Sequence, residues 1–515
     1  MSDAAAPSGG APSDSANKWP ITISIMLATV MNSLDTTIAN VALPHIQGSV
    51  SASQEQIAWV LTSYIVASTI MTPMTGWLAG RIGRKQLFML SIGGFTVASA
   101  LCGMSNSLVE IVGFRLLQGL FGAALIPLSQ AVLLDVHPKE KHGQAMAIWA
   151  MGALLGPIMG PALGGWLTDN LDWRWVFFIN LPVGAIAFAG VVMFISGKKH
   201  DNPRPFDFFG FGAMSVFIGA FQLMLDRGPS QDWFSSTEVW TEAIVAGLAF
   251  YLFIVHSMTA KNPFFDRALL RDRNFVMGSF MGLFVGLLLY SSMALLPTML
   301  EVLMGYPVVT TGIVTMPRGL GAFAAMIFLG QFNTKIDSRL SVFIGLCLCV
   351  LSGWQMTHFS LEMTSWSIVT SGIVQGLGTG MLFIPLTTVA FSSLSPTLRN
   401  EGSALFSLVR NLGGSAGISI IEALQSHNAE VAHADLAQHI SPSDPVLHAY
   451  LPQQFNLNSA AGLSALNGEV SRQAAMVAYI DDFKLLMLLS LLAMPLLFLL
   501  RAPPKNAVTP HVAVE

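Results

Sequence analysis

Long apolar stretches recur along the chain from near residue 21 to near residue 501, separated by short polar connections. Each has about 18 residues or more, and a helix of that length crosses a hydrocarbon core of about 30 Å. The pattern predicts about fourteen spans, at residues 21–43, 57–78, 87–105, 108–134, 144–167, 175–196, 208–226, 240–258, 275–297, 308–330, 340–359, 366–391, 403–425 and 483–501. We therefore expect an all-α polytopic membrane protein.

The composition excludes several other classes of protein. Of the 515 residues, 53% are hydrophobic and only 10% are charged, against about 25% charged in an average soluble protein. A soluble enzyme and a secreted disulfide scaffold are therefore set aside. A net charge of −4 gives no electrostatic footprint for phosphates, so we expect no nucleic-acid partner.

The basic residues set the expected orientation, because cytoplasmic loops are enriched in Lys and Arg. Most of the 25 Lys and Arg residues fall on the side of the N-terminus. Both tails, 1–20 (expected to be disordered) and 502–515, are therefore predicted to be cytoplasmic. The long connection 426–482 is predicted to be a loop on the outer, periplasmic side.

An internal repeat relates the two ends of the chain. Gln118-Gly119 and Ile126-Pro127-Leu128 of span 4 recur as Gln375-Gly376 and Ile384-Pro385-Leu386 of span 12, 257 or 258 residues later. The segment that starts at Gly76, after span 2, has a worn counterpart 254 residues later, from Gly330 in span 10.

Matching elements therefore lie eight spans apart and in the same orientation. We predict two parallel six-helix halves, 21–196 and 275–501, with an inserted helix pair at 208–258. Two parallel halves are the plan of rocking secondary transporters, which bind substrate near the middle of the membrane.

Asp35 and Arg115 are the main candidates for the chemistry. Asp35 lies about eight residues from the outer end of span 1, and Arg115 lies about seven from that of span 4. Both are thus roughly 11 to 12 Å deep at 1.5 Å per residue. Ionisable groups at such depth are costly and by default indicate a function. The matched depth predicts an ion pair, direct or through Gln118, that protonation of Asp35 would open.

Two structural explanations for these residues stay open. Asp35 could be hydrogen-bonded to Asn32 or Thr36 for packing alone, and Arg115 could bond backbone carbonyls of a broken helix. The repeat argues against the second explanation, because the position equivalent to Arg115 in the second half is Gly372.

Four further ionisable residues are weaker candidates for substrate or secondary charge sites. Glu301 and Glu422 lie near the outer ends of spans 9 and 13, where a solvated position is the simpler explanation. Arg318 and Arg410 lie deeper, where they could bind anionic groups or pair with those acids.

Glycines and prolines are clustered in span 5. At spacings of three to four they lie on one helix face, which allows another helix to approach closely. This motif consists of Gly152, Gly156, Pro157, Gly160, Pro161, Gly164 and Gly165.

Enzymatic motifs are weak or missing. Residues 413–417 match G-x-S-x-G, but they lie in an apolar span at the second copy of the span 5 motif, so packing explains them. An intramembrane serine hydrolase remains a remote alternative, since the strand-turn-helix context of that motif is lacking. The sequence has no P-loop and no HExxH motif. We therefore expect no enzyme, cofactor or metal, and an ion gradient as the energy source.

These motifs together resemble the major facilitator superfamily, and within it the fourteen-span drug:proton antiporters of the EmrB/QacA type, closest to the EmrB branch. The resemblance covers nearly the whole chain. LDTTIANVALP (34–44), RLLQGLFGA (115–123), GALLGPIMGPALGG (152–165) and DWRWVFFINLPVG (172–184) carry it. It implies that Asp35 and Arg115 take part in proton coupling and that the span 5 motif belongs to an exporter.

GWLAGRIGRKQ (76–86) resembles the superfamily's cytoplasmic gate motif. Gly80 stands where that motif usually carries an acid, so we expect the gate to use other charges, Asp135 among them. The expected gate residues are Gly76, Arg81, Gly83, Arg84, Lys85 and Asp135.

The resemblance implies a proton-coupled exporter of amphipathic drugs or toxic compounds in the cytoplasmic (inner) membrane. It also implies a periplasmic adaptor and an outer-membrane channel as partners, besides the bilayer and a small-molecule substrate. Two rivals stay open: a dedicated exporter of a lipid, fatty acid or metabolite, and a proton-coupled importer.

Overall fold

The computed structural model describes residues 18–57, 59–137, 142–195, 205–332, 337–395, 398–440, 452, 455 and 459–500. Most of the predicted N-terminal tail and the whole C-terminal tail lie outside the described residues. Within them, the regular structure is helical, as expected. The helices of the first half and the inserted pair are α1 (Lys18–Val50), α2 (Gln54–Ile57), α3 (Trp59–Met71), α4 (Met74–Ile82), α5 (Arg84–Met104), α6 (Leu108–Gly122), α7 (Leu125–Val136), α8 (His142–Asn170), α9 (Trp175–Phe178), α10 (Asn180–Phe194), α11 (Phe208–Arg227) and α12 (Thr237–Thr259).

The second half begins with a short helix and continues with longer ones. They are α13 (Arg267–Arg271), α14 (Arg273–Thr298), α15 (Val308–Phe332), α16 (Ser338–Met356), α17 (Ser365–Phe391), α18 (Arg399–Gln438) and α19 (Ala460–Ala493). A π-helical turn, Met299–Leu303, prolongs α14, and a 3-10 helix, Met494–Leu499, ends the described chain.

Twelve spans of the described part are long and apolar enough to cross a membrane. Helix α8 occupies the position of predicted span 5, and α3 with α4 occupies that of span 2. Span 2 is interrupted at Pro73, which has no N–H for the helical ladder. The count of fourteen stays a prediction.

The two halves share the same helix pairs. In the first half α1 packs on α8, α3 on α6, and α5 on both α6 and α10. In the second half α14 packs on α18, α15 on α17, and α16 on both α17 and α19. These are the pairs that a parallel repeat requires. Helix α8 also packs along α15 and so joins the halves.

The inserted pair lies beside the junction of the halves. Helix α11 contacts α12, α3 and α18. At its outer end Asp226 accepts hydrogen bonds from Thr62 Oγ1 at 2.6 Å and from Gln222 Nε2 at 2.9 Å. The sequence suggests a solvated Asp226 at this boundary, and the residue is exposed in the structure while its carboxylate also attaches α11 to α3.

Most of the described part of the segment 426–482, which was expected to be a loop, is helical, and its position on the outer side stays a prediction. Helix α18 continues to Gln438, and α19 begins at Ala460, where Ser459 Oγ accepts a hydrogen bond from the Gly462 N–H. The hydropathy criterion ends a span where the chain becomes polar. Ala, Glu, Gln and Leu, which are frequent here, are nevertheless good helix formers. Residues 441–451, 453–454 and 456–458 of this segment lie outside the described residues.

Removing the Asp226 carboxylate is expected to loosen the inserted pair. Asp226→Ala leaves the Thr62 hydroxyl without its acceptor and should cost about 2 kcal/mol of unfolding free energy. Thr62→Val should cost less, and the double variant no more than Asp226→Ala, because both changes break one interaction. Thermal unfolding of the purified variants measures this, and additive losses would contradict the coupling.

Candidate functional site

A buried ion pair joins α1 to α6. Arg115 Nη1 donates to Asp35 Oδ2 at 2.6 Å, and the two side chains are 1% and 0% exposed. Taking two charges out of water costs several kcal/mol per ion. A pair in this setting therefore persists only if the remaining polar atoms are also satisfied.

The other carboxylate oxygen is satisfied by two amides. Asp35 Oδ1 accepts from Gln118 Nε2 at 2.8 Å and from Asn180 Nδ2 at 2.9 Å. Asn180 is the first residue of α10 and also donates to Ser99 Oγ at 3.0 Å. Asp35 thus receives hydrogen bonds from two other helices and holds α1, α6 and α10 together.

The guanidinium of Arg115 also makes contacts beyond Asp35. Its Nε donates to the Val60 carbonyl at 3.1 Å, and Nη1 also donates to Gln118 Oε1 at 2.9 Å. The Tyr64 ring lies 4.3 Å from the guanidinium carbon, in cation–π contact. Tyr64 in turn donates to Asn32 Oδ1 at 3.0 Å. The network therefore includes α3 too.

Close helix packing makes this network possible. A Cβ on Gly119 would lie 2.4 Å from the Tyr64 carbonyl oxygen, so glycine is required where α6 meets α3. Ser107 caps α6 by accepting from the Glu110 N–H at 3.3 Å, which fixes where the helix begins. Arg115 and Gln118, three residues apart, then share the helix face that meets Asp35.

The second half has the same helix packing but lacks a counterpart of the ion pair between Asp35 and Arg115. Gln375, the counterpart of Gln118, donates to Ser292 Oγ at 2.6 Å. Ser292 stands 257 residues after Asp35, and Gly372 stands in the place of Arg115. Since this half packs without an acid–arginine pair, the fold does not require one. This supports a functional role for the pair.

The glycines of the span 5 motif face α1 beside Asp35. A Cβ on Gly156 would lie 2.3 Å from the Ser33 carbonyl carbon, and one on Gly160 would lie 2.1 Å from Thr37 Oγ1. Thr37 Oγ1 also donates to the Gly156 carbonyl at 3.1 Å. The motif therefore sets the distance between α8 and the part of α1 that carries Asp35. Gly152 and Gly164 also face α1, whereas Thr168 Oγ1 bonds the Gly165 carbonyl, and the side chains of Pro157 and Pro161 lie outside the described residues.

The comparison with known proteins now identifies the family. Residues 25–418 match the model of the Major Facilitator Superfamily. The chain belongs to the Major Facilitator Superfamily.

Relatives within the superfamily are similar over most of their length. The chain is 36% identical over 484 residues to the multidrug export protein EmrB of Haemophilus influenzae, covering 91% of this chain and 95% of that one. It is 36% identical over 488 residues to the fatty acid resistance protein FarB of Neisseria gonorrhoeae, covering 94% and 96%. The human organic anion transporter MFSD10 shares the fold, with a TM-score of 0.57 at 15% identity over 93% of this chain and 100% of that one.

The predicted gate of this superfamily member carries an ion pair between α5 and α7, formed by Arg84 and Asp135. Lys85 Nζ donates to the Val192 carbonyl at 2.8 Å. Gly83 adopts φ of 89°, a conformation that favours glycine, in the single residue between α4 and α5. A Cβ on Gly80 would meet nothing within 4 Å. Of the other gate residues, Gly76 lies within α4, and Arg81 stacks over Trp77 at 5.2 Å.

The weaker charge candidates are not part of the Asp35 network. Glu301 lies in the π-helical turn after α14, and Glu422 is exposed on α18. Arg318 and Arg410 form no ion pair with any described residue. The suggestion that these arginines pair with the two acids is therefore wrong for this conformation.

Sequence reasoning missed several members of the network. Asn180 and Ser99 are uncharged polar residues in apolar spans, and Tyr64 is an aromatic residue of a kind common in membrane helices. Asn180 alone offered a signal, because an amide within an apolar span needs a partner. Asp482, a buried acid on α19 without a described hydrogen-bond partner, was also missed because it precedes the expected start of span 14.

Arg115→Met should destabilise the protein by about 3 to 5 kcal/mol, because it leaves a buried carboxylate uncompensated. Adding Asp35→Asn to the same chain should restore most of that loss. Thermal unfolding of the single and double variants measures it. A double variant no more stable than Arg115→Met would contradict the pairing seen here.

Gly156→Ala tests the packing of α8 on α1. The new methyl group would meet backbone atoms of α1 at 2.3 Å, and backbone yields less easily than a side chain, so we expect a loss of about 1 to 3 kcal/mol in stability. Gly80→Ala is the matched control, since its Cβ enters open space. Equal unfolding temperatures for the two variants would contradict this account.

Proposed function

We propose that this protein is a proton-coupled antiporter that exports amphipathic drugs or toxic compounds across the cytoplasmic membrane. Asp35 is the proton acceptor and Arg115 its electrostatic partner. The observation that carries the proposal is the buried ion pair of the first half, together with its replacement by Ser292 and Gly372 in the second. Similarity to multidrug export proteins supports the direction of transport.

Protonation would act on the contacts of Asp35. An ionised carboxylate accepts from Arg115, Gln118 and Asn180 together. A neutral carboxyl group accepts more weakly and itself carries a donor. Protonation thus weakens the attachment of α1 to α6 and α10. It also leaves Arg115 without its counter-charge, which favours a different arrangement of these helices.

In the proposed cycle, Asp35 takes up a proton when the site opens to the outside. The protein then reorients, and substrate from the cytoplasm or the inner leaflet replaces the proton on the inward-facing side. Moving one charge through 100 mV supplies about 2.3 kcal/mol. That free energy supports a substrate ratio of about 50-fold for each proton exchanged.

The remaining elements are placed to serve this cycle. Helix α8 contacts both α1 and α15, so a shift of α1 is passed to the second half. Arg84 and Asp135 would hold the cytoplasmic gate. The proton gradient replaces any cofactor, and the location is the inner membrane. A periplasmic adaptor and an outer-membrane channel, as implied by the EmrB resemblance, would be the protein partners.

A dedicated exporter of a fatty acid or related lipid is the second candidate. Similarity to a fatty acid resistance protein supports it. Substrate competition separates the two functions. A broad exporter is inhibited by amphiphiles with different head groups, whereas a dedicated one is inhibited only by close analogues.

Asp35→Asn should abolish proton-coupled export while leaving the protein folded in the membrane. The measurement uses everted vesicles with a preformed inside-acid gradient and a pH-sensitive dye, to which candidate amphiphiles are added. We expect dissipation with the wild type and none with Asp35→Asn. Glu469→Gln is the matched control, because it makes the same chemical change on a half-buried acid outside the network. Equal dissipation by Asp35→Asn and the wild type would refute the role of Asp35.

A further inference from the structure

Two guanidinium groups of the second half, well inside predicted spans, have no counter-charge among the described residues. Arg318 lies ten residues into α15, and Arg410 eleven residues into α18, each about 15 Å from a helix end. Arg318 Nη2 and Arg410 Nε are buried and have no hydrogen-bond partner among the described residues. Arginine cannot shed its proton at such a site, so both charges need an anion or a polar ligand.

Arg318 occupies the place that Tyr64 takes in the first half. It stands 254 residues after Tyr64, the offset that relates span 2 to span 10. Its Cβ lies 3.6 Å from where a Cβ on Gly372 would be, and Gly372 is the counterpart of Arg115. The first half carries its arginine on α6, whereas the second half carries one on α15, the counterpart of α3.

No described carboxylate of the second half pairs with Arg318. Asp35 is replaced by Ser292, whose hydroxyl accepts from Gln375. Asp482 is buried in the same half, but neither of its oxygens accepts a hydrogen bond from a described residue, so it does not neutralise Arg318. The second half therefore repeats the scaffold of the first with a cation and without the carboxylate.

The charge of Arg318 has no described partner. The residue is only partly buried, and none of its nitrogens is hydrogen-bonded to a described residue. Cys349, Gln375 and Thr379 line a cavity between α14, α16, α17 and α19, and Arg318 on α15 is not one of its lining residues. Arg410 lies over the Phe383 ring at 5.2 Å. Phe383 is eleven residues further along α17 than Gly372, so this second cation lies about 16 Å nearer the inner face.

We propose that Arg318 binds the carboxylate head group of an anionic amphipathic substrate, with its apolar tail against the apolar interior of the second half. The ligand carboxylate takes the part that Asp35 plays for Arg115. This inference rests on the proposed export function and narrows its substrate class. Arg410 extends the positive potential towards the inner face, from which such a substrate enters.

Two amphiphiles with the same tail and opposite charge test the proposal. Binding of radiolabelled dodecanoate and dodecyltrimethylammonium is measured on the protein in phosphatidylcholine nanodiscs, with binding to empty nanodiscs subtracted. Arg318→Gln should weaken dodecanoate about tenfold or more and leave the cation equal or tighter. Arg318→Lys should retain part of the affinity, because the charge remains.

Arg472→Gln is the control, since it removes a cation from an exposed position on α19, and it should change neither affinity. Unchanged dodecanoate binding by Arg318→Gln, or an equal loss for both amphiphiles, would overturn the proposal. The assay needs no gradient, so its outcome stays separate from that of the proton measurement. Failure of coupled export would leave a positive binding result intact.

Discussion

The ion pair between Asp35 and Arg115 is the constraint around which the first half is built. Its desolvation cost is offset only because both carboxylate oxygens and most guanidinium nitrogens have partners. Those partners come from α3, α6 and α10, so one titratable group determines how four helices of the first half meet. Gly119 of α6 and Gly156 of α8 lie where these helices approach α3 and α1 most closely. This close approach lets the side chains of the network reach one another.

The halves share a scaffold and differ in charge. Pairs of helices recur in the same order, and Gln118 and Gln375 make equivalent hydrogen bonds. The first half encloses a buried acid–arginine pair. The second encloses an arginine that nothing in the described chain neutralises. Under the proposed function and the inference about Arg318, the proton acts on the first half and the substrate charge on the second, and the contacts of α8 with α1 and α15 connect the two.

Much of this fold is predictable because membrane burial leaves a strong hydropathy signal, and the depth of Asp35 and Arg115 follows from counting residues along helices. Hydropathy could not reveal the helical nature of 426–438 and 460–482, because it reports the preference for lipid and not the propensity for helix. Nor could it place Asn180 or Tyr64, whose roles depend on which helix faces meet.

Two helices continue past the predicted ends of their spans, and one of them forms a long arm. Helix α18 runs 13 residues beyond the expected end of its span, to Gln438, which is about 20 Å of uninterrupted helix. A rigid-body rotation of about 15°, of the size known for switching proteins, would displace the tip of such an arm by about 5 Å. A movement of the second half would therefore be largest at the tip of this arm, beyond the predicted end of the span.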